Sequence, residues 1–254
     1  MALPSVDGLG LSLDRDGRVL RATIDRGDDN LMSMAMCEAL TGLLLEPPEG
    51  CHVLHLRATG PNFCLGRDRG GRDVDLVNGQ ATTLVALNRA LAEGELVTVA
   101  EVAGDAAGFG VSLAALCDAS VAAPSARFWF PEIDAGLAPA VVLAWLPRMI
   151  GRGQAFHLTA TGAKVDGGEA ARIGLVTKVA KGDGSLAEET EGEIAALLSH
   201  PRRAHLEIRA FLAETAALDQ PTVDRLAIDR LVLASLRLAA EAAKAADAAA
   251  GGRQ

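Results

Sequence analysis

The stretch GDAAGFGVSLAALCD, Gly104 to Asp118, joins a glycine-rich turn to an apolar run of helical spacing, and the one reactive side chain at its mouth is Ser112. Gly110 to Ala114 has the GlyxSerxAla form of a nucleophile elbow, in which a serine sits on a tight strand-to-helix turn. Such a serine needs a base within hydrogen-bond reach and a carboxylate to orient that base. His157, His200 and His205 come later, but His157 falls inside a helical run and the other two flank Pro201. None is offered from a loop after a strand, so Ser112 reads as a small residue near a helix N-terminus. Gly104, Gly108 and Gly110 do not make GxGxxG, GRGQAF at 151–156 lacks the third glycine, and there is no P-loop. The histidines have no metal-ligand spacing, and no metal is expected.

A different set of groups explains more. NFCLGRD, Asn62 to Asp68, follows an apolar run and turns at Gly66; further along, AGDAAGFG turns before a helix. Two such turns can each aim a backbone N–H at one point. With a helix N-terminus they make an oxyanion hole, a site that stabilises charge on a carbonyl oxygen such as that of a thioester. PEIDAGLAP, Pro131 to Pro139, adds an acid, Glu132, beside a short loop. Phe128, Trp129, Phe130 and Ile133 flank it, and burial among them is expected to raise its pKa toward that of a useful base. Arg67, Arg69 and Arg72 form a basic cluster on an otherwise acidic chain, which suits a phosphate-rich ligand.

The elements that must hold these groups follow from periodicity. LGLSLDRDGRVLRATI alternates around DRDG and predicts a hairpin. SMAMCEALTGLLL and GQATTLVALNRALAEG have helical spacing, with Ser33 as N-cap of the first, and CHVLHLRATG, LVTVAEVAG, ASVAAP and ARFWFPEI read as strands. PAVVLAWLPRMIG and RGQAFHLTATG read as helices. Alternation of this kind predicts an α/β, ββα-layered domain over residues 1–184. After KGDGS, Lys181 to Ser185, strand signal stops; 185–254 is Ala-rich and amphipathic, with Leu226, Leu233, Leu236 and Ala240 near one face. That region is expected to be helical and to pack on its own domain or on another subunit.

Composition narrows the function classes. Half of the 254 residues are apolar and the net charge is −9, which allows a large core and argues against nucleic-acid binding. Cys37, Cys51, Cys64 and Cys117 form no CxxC pair and read as reduced thiols. MALPSVDGLG lacks the pattern of a signal peptide, and no uncharged apolar run reaches the length of about 18 residues that a membrane span needs. A cytoplasmic protein with small-molecule partners is expected.

Over roughly residues 9–182 the chain resembles the crotonase, or enoyl-CoA hydratase/isomerase, superfamily. IDRGDDNLMSMAMCEAL is similar to the family's strand and first helix, with Arg26 and Asn30 in place; FCLGRD resembles its FxxGxD loop; GDAAGFGVSLAALCDASVAA its second glycine loop, helix and strand; FWFPEIDAGLAP its PExxxGxxP segment; and TGAKVDGGEAARIGLVTKV its TGxxxxAxxAxxxGLVxxV segment. The resemblance implies a spiral of ββα units with a C-terminal helical region, assembled as trimers or dimers of trimers. It implies an acyl-CoA thioester as substrate, with coenzyme A part of that substrate and no separate cofactor. It implies oxyanion N–H groups at Leu65 and Phe109. Phe109 stands where the family usually carries glycine; a peptide N–H does not depend on its side chain, but Phe109 must fit the backbone angles a glycine allows. Arg26 and Arg67 match positions that contact CoA phosphates, and Cys64, Gly66, Gly108, Gly110, Ser112 and Pro139 match the substrate-binding segments.

Hydratases of the family use two glutamates to deliver water across a double bond, a task for two carboxyl groups. Here Glu132 is the second, and Ser112 replaces the first. One carboxylate suffices to take a proton from one carbon and return it to another. The enoyl-CoA isomerases resemble this pattern, and GLAPAVVLAWL is similar to their loop. The expectation is an isomerase with Glu132 as base. The alternatives are a hydratase with water held near Ser112 and a non-catalytic crotonase-fold binding protein.

Overall fold

The chain winds by repeating one long strand, one short strand and then a helix. The computed structural model describes residues 3–68, 70–71 and 73–251, the last seven as backbone only; Arg69 and Arg72 of the basic cluster lie outside the described residues. The hairpin β1 (Leu9–Asp14) and β2 (Val19–Ile24) leads to α1 (Met34–Leu45). Then come β3 (Val53–Ala58), β4 (Asn62–Cys64) and α2 (Val74–Glu93), followed by β5 (Val97–Val102), β6 (Asp105–Ala107) and α3 (Phe109–Ala115). The third repeat is β7 (Ala119–Ala122), β8 (Arg127–Trp129), α4 (Ala140–Leu143) and α5 (Leu146–Thr161). β9 (Val165–Asp166), α6 (Gly167–Arg172) and β10 (Lys178–Val179) follow, and then only helices: α7 (Leu186–Leu198), α8 (Arg202–Thr215) and α9 (Gln220–Gly251).

The long strands, with two-residue β10 at the edge, make a six-stranded sheet, β1-β2-β3-β5-β7-β10, and four short ones make a second sheet, β4-β6-β8-β9. Each repeat adds one strand to each sheet, parallel to the last, so the chain advances as the expected spiral of ββα units. The hairpin register, Leu9↔Ile24 through Asp14↔Val19, matches the alternation read from the sequence, although Leu13 is exposed.

The large sheet is buried on both faces, as parallel sheets are. Leu20, Ala22, Ile24, Leu54 and Leu56 enter the main core with α1 and α2. Val19, Val53, Val97, Val99 and Ala119 face the other way and are covered by Ile194 of α7. Glu191 of α7 also bonds Arg21 at 2.6 Å on that face. The sequence predicts a division at 184; one compact unit runs through Arg209 and a second begins at Ala210. The reason is that the second face of the sheet needs α7 as its lid, and Arg209, itself buried, bonds Asp118 and donates to the Leu91 carbonyl at 3.0 Å. In the second unit Arg230 of α9 pairs with Glu214 at 2.6 Å, and Ile228, Leu231, Leu233 and Leu236 are exposed. Among the described residues no helix is long and apolar enough to cross a membrane.

Candidate active site

Strands β4 and β6 are parallel neighbours, with Asn62 opposite Asp105 and Cys64 opposite Ala106. The turns that leave their C-terminal ends therefore emerge side by side. The first turn pivots on Gly66, whose φ of +126° is open to glycine alone. It is fastened to the stretch before α1: the Met32 N–H donates to the Gly66 carbonyl at 3.0 Å and the Asp68 N–H to the Met32 carbonyl at 2.9 Å. In this parallel bridge between Met32 and Arg67 the backbone groups of Arg67 point to the opposite side. Among the described residues nothing accepts the Arg67 N–H.

The Leu65 N–H, by contrast, donates to the Asp29 carbonyl at 2.9 Å. This corrects the expectation that Leu65 supplies an oxyanion donor: its N–H is part of the bonding that holds the turn, and the outward-facing donor is two residues later, at Arg67. Buried Asn30, at φ +48°, anchors the same bonding; its Oδ1 accepts from the Arg26 N–H, and its Nδ2 donates to the carbonyls of Thr59 and Asn62. Arg26 donates to the Leu31 carbonyl and pairs with Asp68 at 2.7 Å. The Arg67 guanidinium donates to Gln80 Oε1 of α2 and to the Asp68 carbonyl, both at 3.0 Å.

The second turn pivots on Gly108, at φ +52° and ψ −118°, whose N–H donates to the Trp129 carbonyl at 3.0 Å. Phe109 is the first residue of α3 and is not among the described residues with positive φ. The glycine-only angles thus fall on Gly108, and Phe109 fits without strain. As the first helical residue its N–H has no partner inside the helix. A Cβ on Gly110 would collide with the Cys64 carbonyl, so glycine there lets α3 sit directly on the first turn. Cys64 and Gly110 thus pack the two turns together. The Cys64 thiol lies in the core, donates to the Gly66 carbonyl at 3.1 Å, and burial pushes its pKa up to about 12.

Glu132 enters on a single 3₁₀ turn, Pro131–Ala135, that follows β8 and is closed by left-handed Gly136. Phe128 and Phe130 are buried beside it, Ile133 is exposed, and Glu132 is half-buried with its Oε2 fully enclosed. Its Oε1 lies 2.7 Å from the place a Cβ on Gly108 would occupy. The carboxylate rests on the α-carbon that immediately precedes the Phe109 N–H. Pro139 is buried and caps α4. Ser112 is fully buried in α3, and its Oγ has no hydrogen-bond partner among the described residues.

The structure thus brings together Gly66, Arg67, Gly108, Phe109, Ser112 and Glu132. Arg67 was expected for its side chain and not for its N–H; the sequence carries a signal for it, because in the second turn the donor directly follows the glycine, and the same offset in FCLGRD selects Arg67.

Paired glycine turns at the ends of a short second sheet, wrapped by a ββα spiral, define a crotonase-type protein. The chain belongs to the enoyl-CoA hydratase/isomerase family, whose model matches residues 18–248. It is 31% identical over 172 residues to a cyclohexa-1,5-dienecarbonyl-CoA hydratase of Thauera aromatica, spanning 66% of each chain. It is 34% identical over 183 residues to a probable enoyl-CoA hydratase of Mycobacterium tuberculosis, spanning 69% of this chain and 70% of the relative. Among solved structures, an enoyl-CoA hydratase of Mycobacterium smegmatis superposes with a TM-score of 0.84 at 26% identity, covering 90% of this chain and 91% of the other. AtuE of Pseudomonas aeruginosa superposes with a TM-score of 0.83 at 28% identity, covering 90% and 91%.

Proposed function

We propose that the protein is an enoyl-CoA isomerase that moves a double bond along an acyl-CoA thioester, with Glu132 as its general base. The thioester oxygen sits between the N–H groups of Arg67 and Phe109. Glu132 removes a proton from C2 of a 3-enoyl group; the C2 electrons delocalise toward the thioester oxygen, forming a dienolate whose charge the two N–H groups stabilise. The same carboxylic acid returns the proton to C4, leaving the double bond between C2 and C3. The observation that carries this reading is the seat of the Glu132 carboxylate against Gly108, one residue from the Phe109 donor. A serine at 112 leaves one carboxylate for the chemistry, which one-base proton transfer needs and water addition does not favour.

Coenzyme A enters as part of the substrate, its phosphates met by Arg26 and Arg67, and no separate cofactor takes part. The protein works in the cytoplasm as a trimer or a dimer of trimers, and the exposed apolar side chains of α9 support association through the C-terminal helices. Hydration of a 2-enoyl-CoA, with water held near Ser112, is the second reading, and the names of the relatives favour it.

Product analysis with 3-enoyl-CoA and 2-enoyl-CoA substrates separates the readings. Conversion of 3-enoyl to 2-enoyl thioester without a 3-hydroxy product is expected. A 3-hydroxyacyl product from the 2-enoyl substrate establishes the hydratase instead. Tight binding with no turnover of either identifies a binding protein.

A further inference from the structure

Ser112 is unlike most other hydroxyls in the described helices. Thr41, Thr159, Thr161, Thr190 and Ser235 each donate to the carbonyl four residues back, the usual way a helix satisfies a serine or threonine. For Ser112 that carbonyl belongs to Gly108, whose ψ of −118° is not helical and whose oxygen already accepts from the Val111 N–H at 3.1 Å. The Ser112 hydroxyl is left with no partner among the described residues, on a residue with no exposed surface. Its neighbours in α3, Val111, Leu113, Ala114 and Ala115, are all apolar and buried. Alanine at 112 would fill the helix without burying an unsatisfied hydroxyl, which is destabilising.

Position matters as much as the missing bond. Residues four apart lie on one face of a helix, and Gly108 is four residues before Ser112. The α-carbon of Gly108 is where the Glu132 carboxylate rests. The unsatisfied hydroxyl therefore lies one helical turn along α3 from the α-carbon on which the Glu132 carboxylate rests.

We propose that Ser112 is a specificity-determining residue: its hydroxyl bonds an oxygen substituent on the acyl group, and the preferred substrates are oxygenated acyl thioesters rather than plain hydrocarbon ones. The proposal rests on the acyl-CoA reading of this site. A hydroxyl both donates and accepts, so a hydroxyl or a carbonyl on the acyl chain satisfies it. A site that hydrogen-bonds a substrate oxygen discriminates against the analogue lacking it, because the protein group is then left unpaired.

Calorimetric titration of butyryl-CoA, 3-hydroxybutyryl-CoA and 4-hydroxybutyryl-CoA into the wild-type protein and Ser112→Ala tests this. One hydroxyacyl-CoA is expected to bind the wild type about 10-fold or more tightly than butyryl-CoA, a charge-free hydrogen bond's worth. In Ser112→Ala the preference is lost, and the three ligands bind alike. Equal affinities in the wild type, or a preference that survives in Ser112→Ala, overturn the proposal and leave the acyl-CoA reading standing. Failure of all three ligands to bind sinks that reading and this one with it. Thermal melting of the unliganded proteins gives an independent check. Ser112→Ala should melt at the same temperature or higher; a clear fall would reveal an internal partner for the hydroxyl and overturn the proposal.

Discussion

The two turns that end β4 and β6 are alike up to the glycine and different after it. In each, a glycine at positive φ directly precedes the residue whose N–H is left over: Gly66 before Arg67, Gly108 before Phe109. After Gly66 the chain stays extended, and the donor is aimed by the bridge to Met32. After Gly108 the chain enters α3, and the donor is aimed by the helix. The glycines also differ in what lies against them. A Cβ on Gly66 would meet only the Ala107 carbonyl at 3.8 Å, an ordinary contact, whereas one on Gly108 would press on the Glu132 carboxylate. The first turn carries a free N–H alone; the second carries one and the seat of the Glu132 carboxylate.

Removing the base should have the largest effect on this arrangement. Glu132→Gln is expected to lower turnover by about 10²–10⁴-fold while acyl-CoA binding persists, measured by steady-state kinetics beside calorimetry. Next in size is deletion of a single donor. Replacing the amide at Arg67 by an ester, which removes its N–H, should lower kcat by about 10²–10³-fold. The same replacement at Leu65 should cost only stability, about 1 kcal/mol for its bond to Asp29. If the Leu65 ester proves the more damaging to kcat, the assignment of Arg67 is wrong.

The glycines divide the turns further. Gly66→Ala and Gly108→Ala should each lose about 1–3 kcal/mol of stability from backbone strain, read from denaturant unfolding. Only Gly108→Ala should in addition shift the pH dependence of turnover, because it displaces Glu132. Equal pH profiles would mean that the two turns are not different in this way. The smallest effect belongs to the Arg26–Asp68 pair, which is partly exposed on both sides; Arg26→Ala should cost about 0.2–1 kcal/mol, and its stability loss should shrink in high salt.

The long strands were legible because their alternation and their β-branched content survive on any register. Of the candidate site, the glycines and Glu132 stand out in the sequence, Glu132 in a segment that carries proline, glycine and acids together. Of the small sheet only β8 lies in a segment that reads as a strand; β4 and β6 are three residues each, and β9 two, too short for a period to show. Without β4 paired to β6, and without the bridge from Met32, nothing in FCLGRD says which N–H faces in. The reach of the first unit to Arg209 was also hidden, since amphipathic α7 reads the same whether it covers a sheet or a neighbouring subunit.

All four cysteines are buried, one in α1, one before β3, one at the end of β4 and one after α3. Burial pushes the thiols of Cys37, Cys64 and Cys117 up to about 12, and only the thiolate is nucleophilic. In the native state these thiols should be silent toward alkylating reagents, so the rate at which each is labelled becomes a clock for local opening at its own place in the fold. Cys64 and Cys117 bracket the paired turns, and their labelling, with and without an acyl-CoA present, would time how often that part of the molecule comes apart.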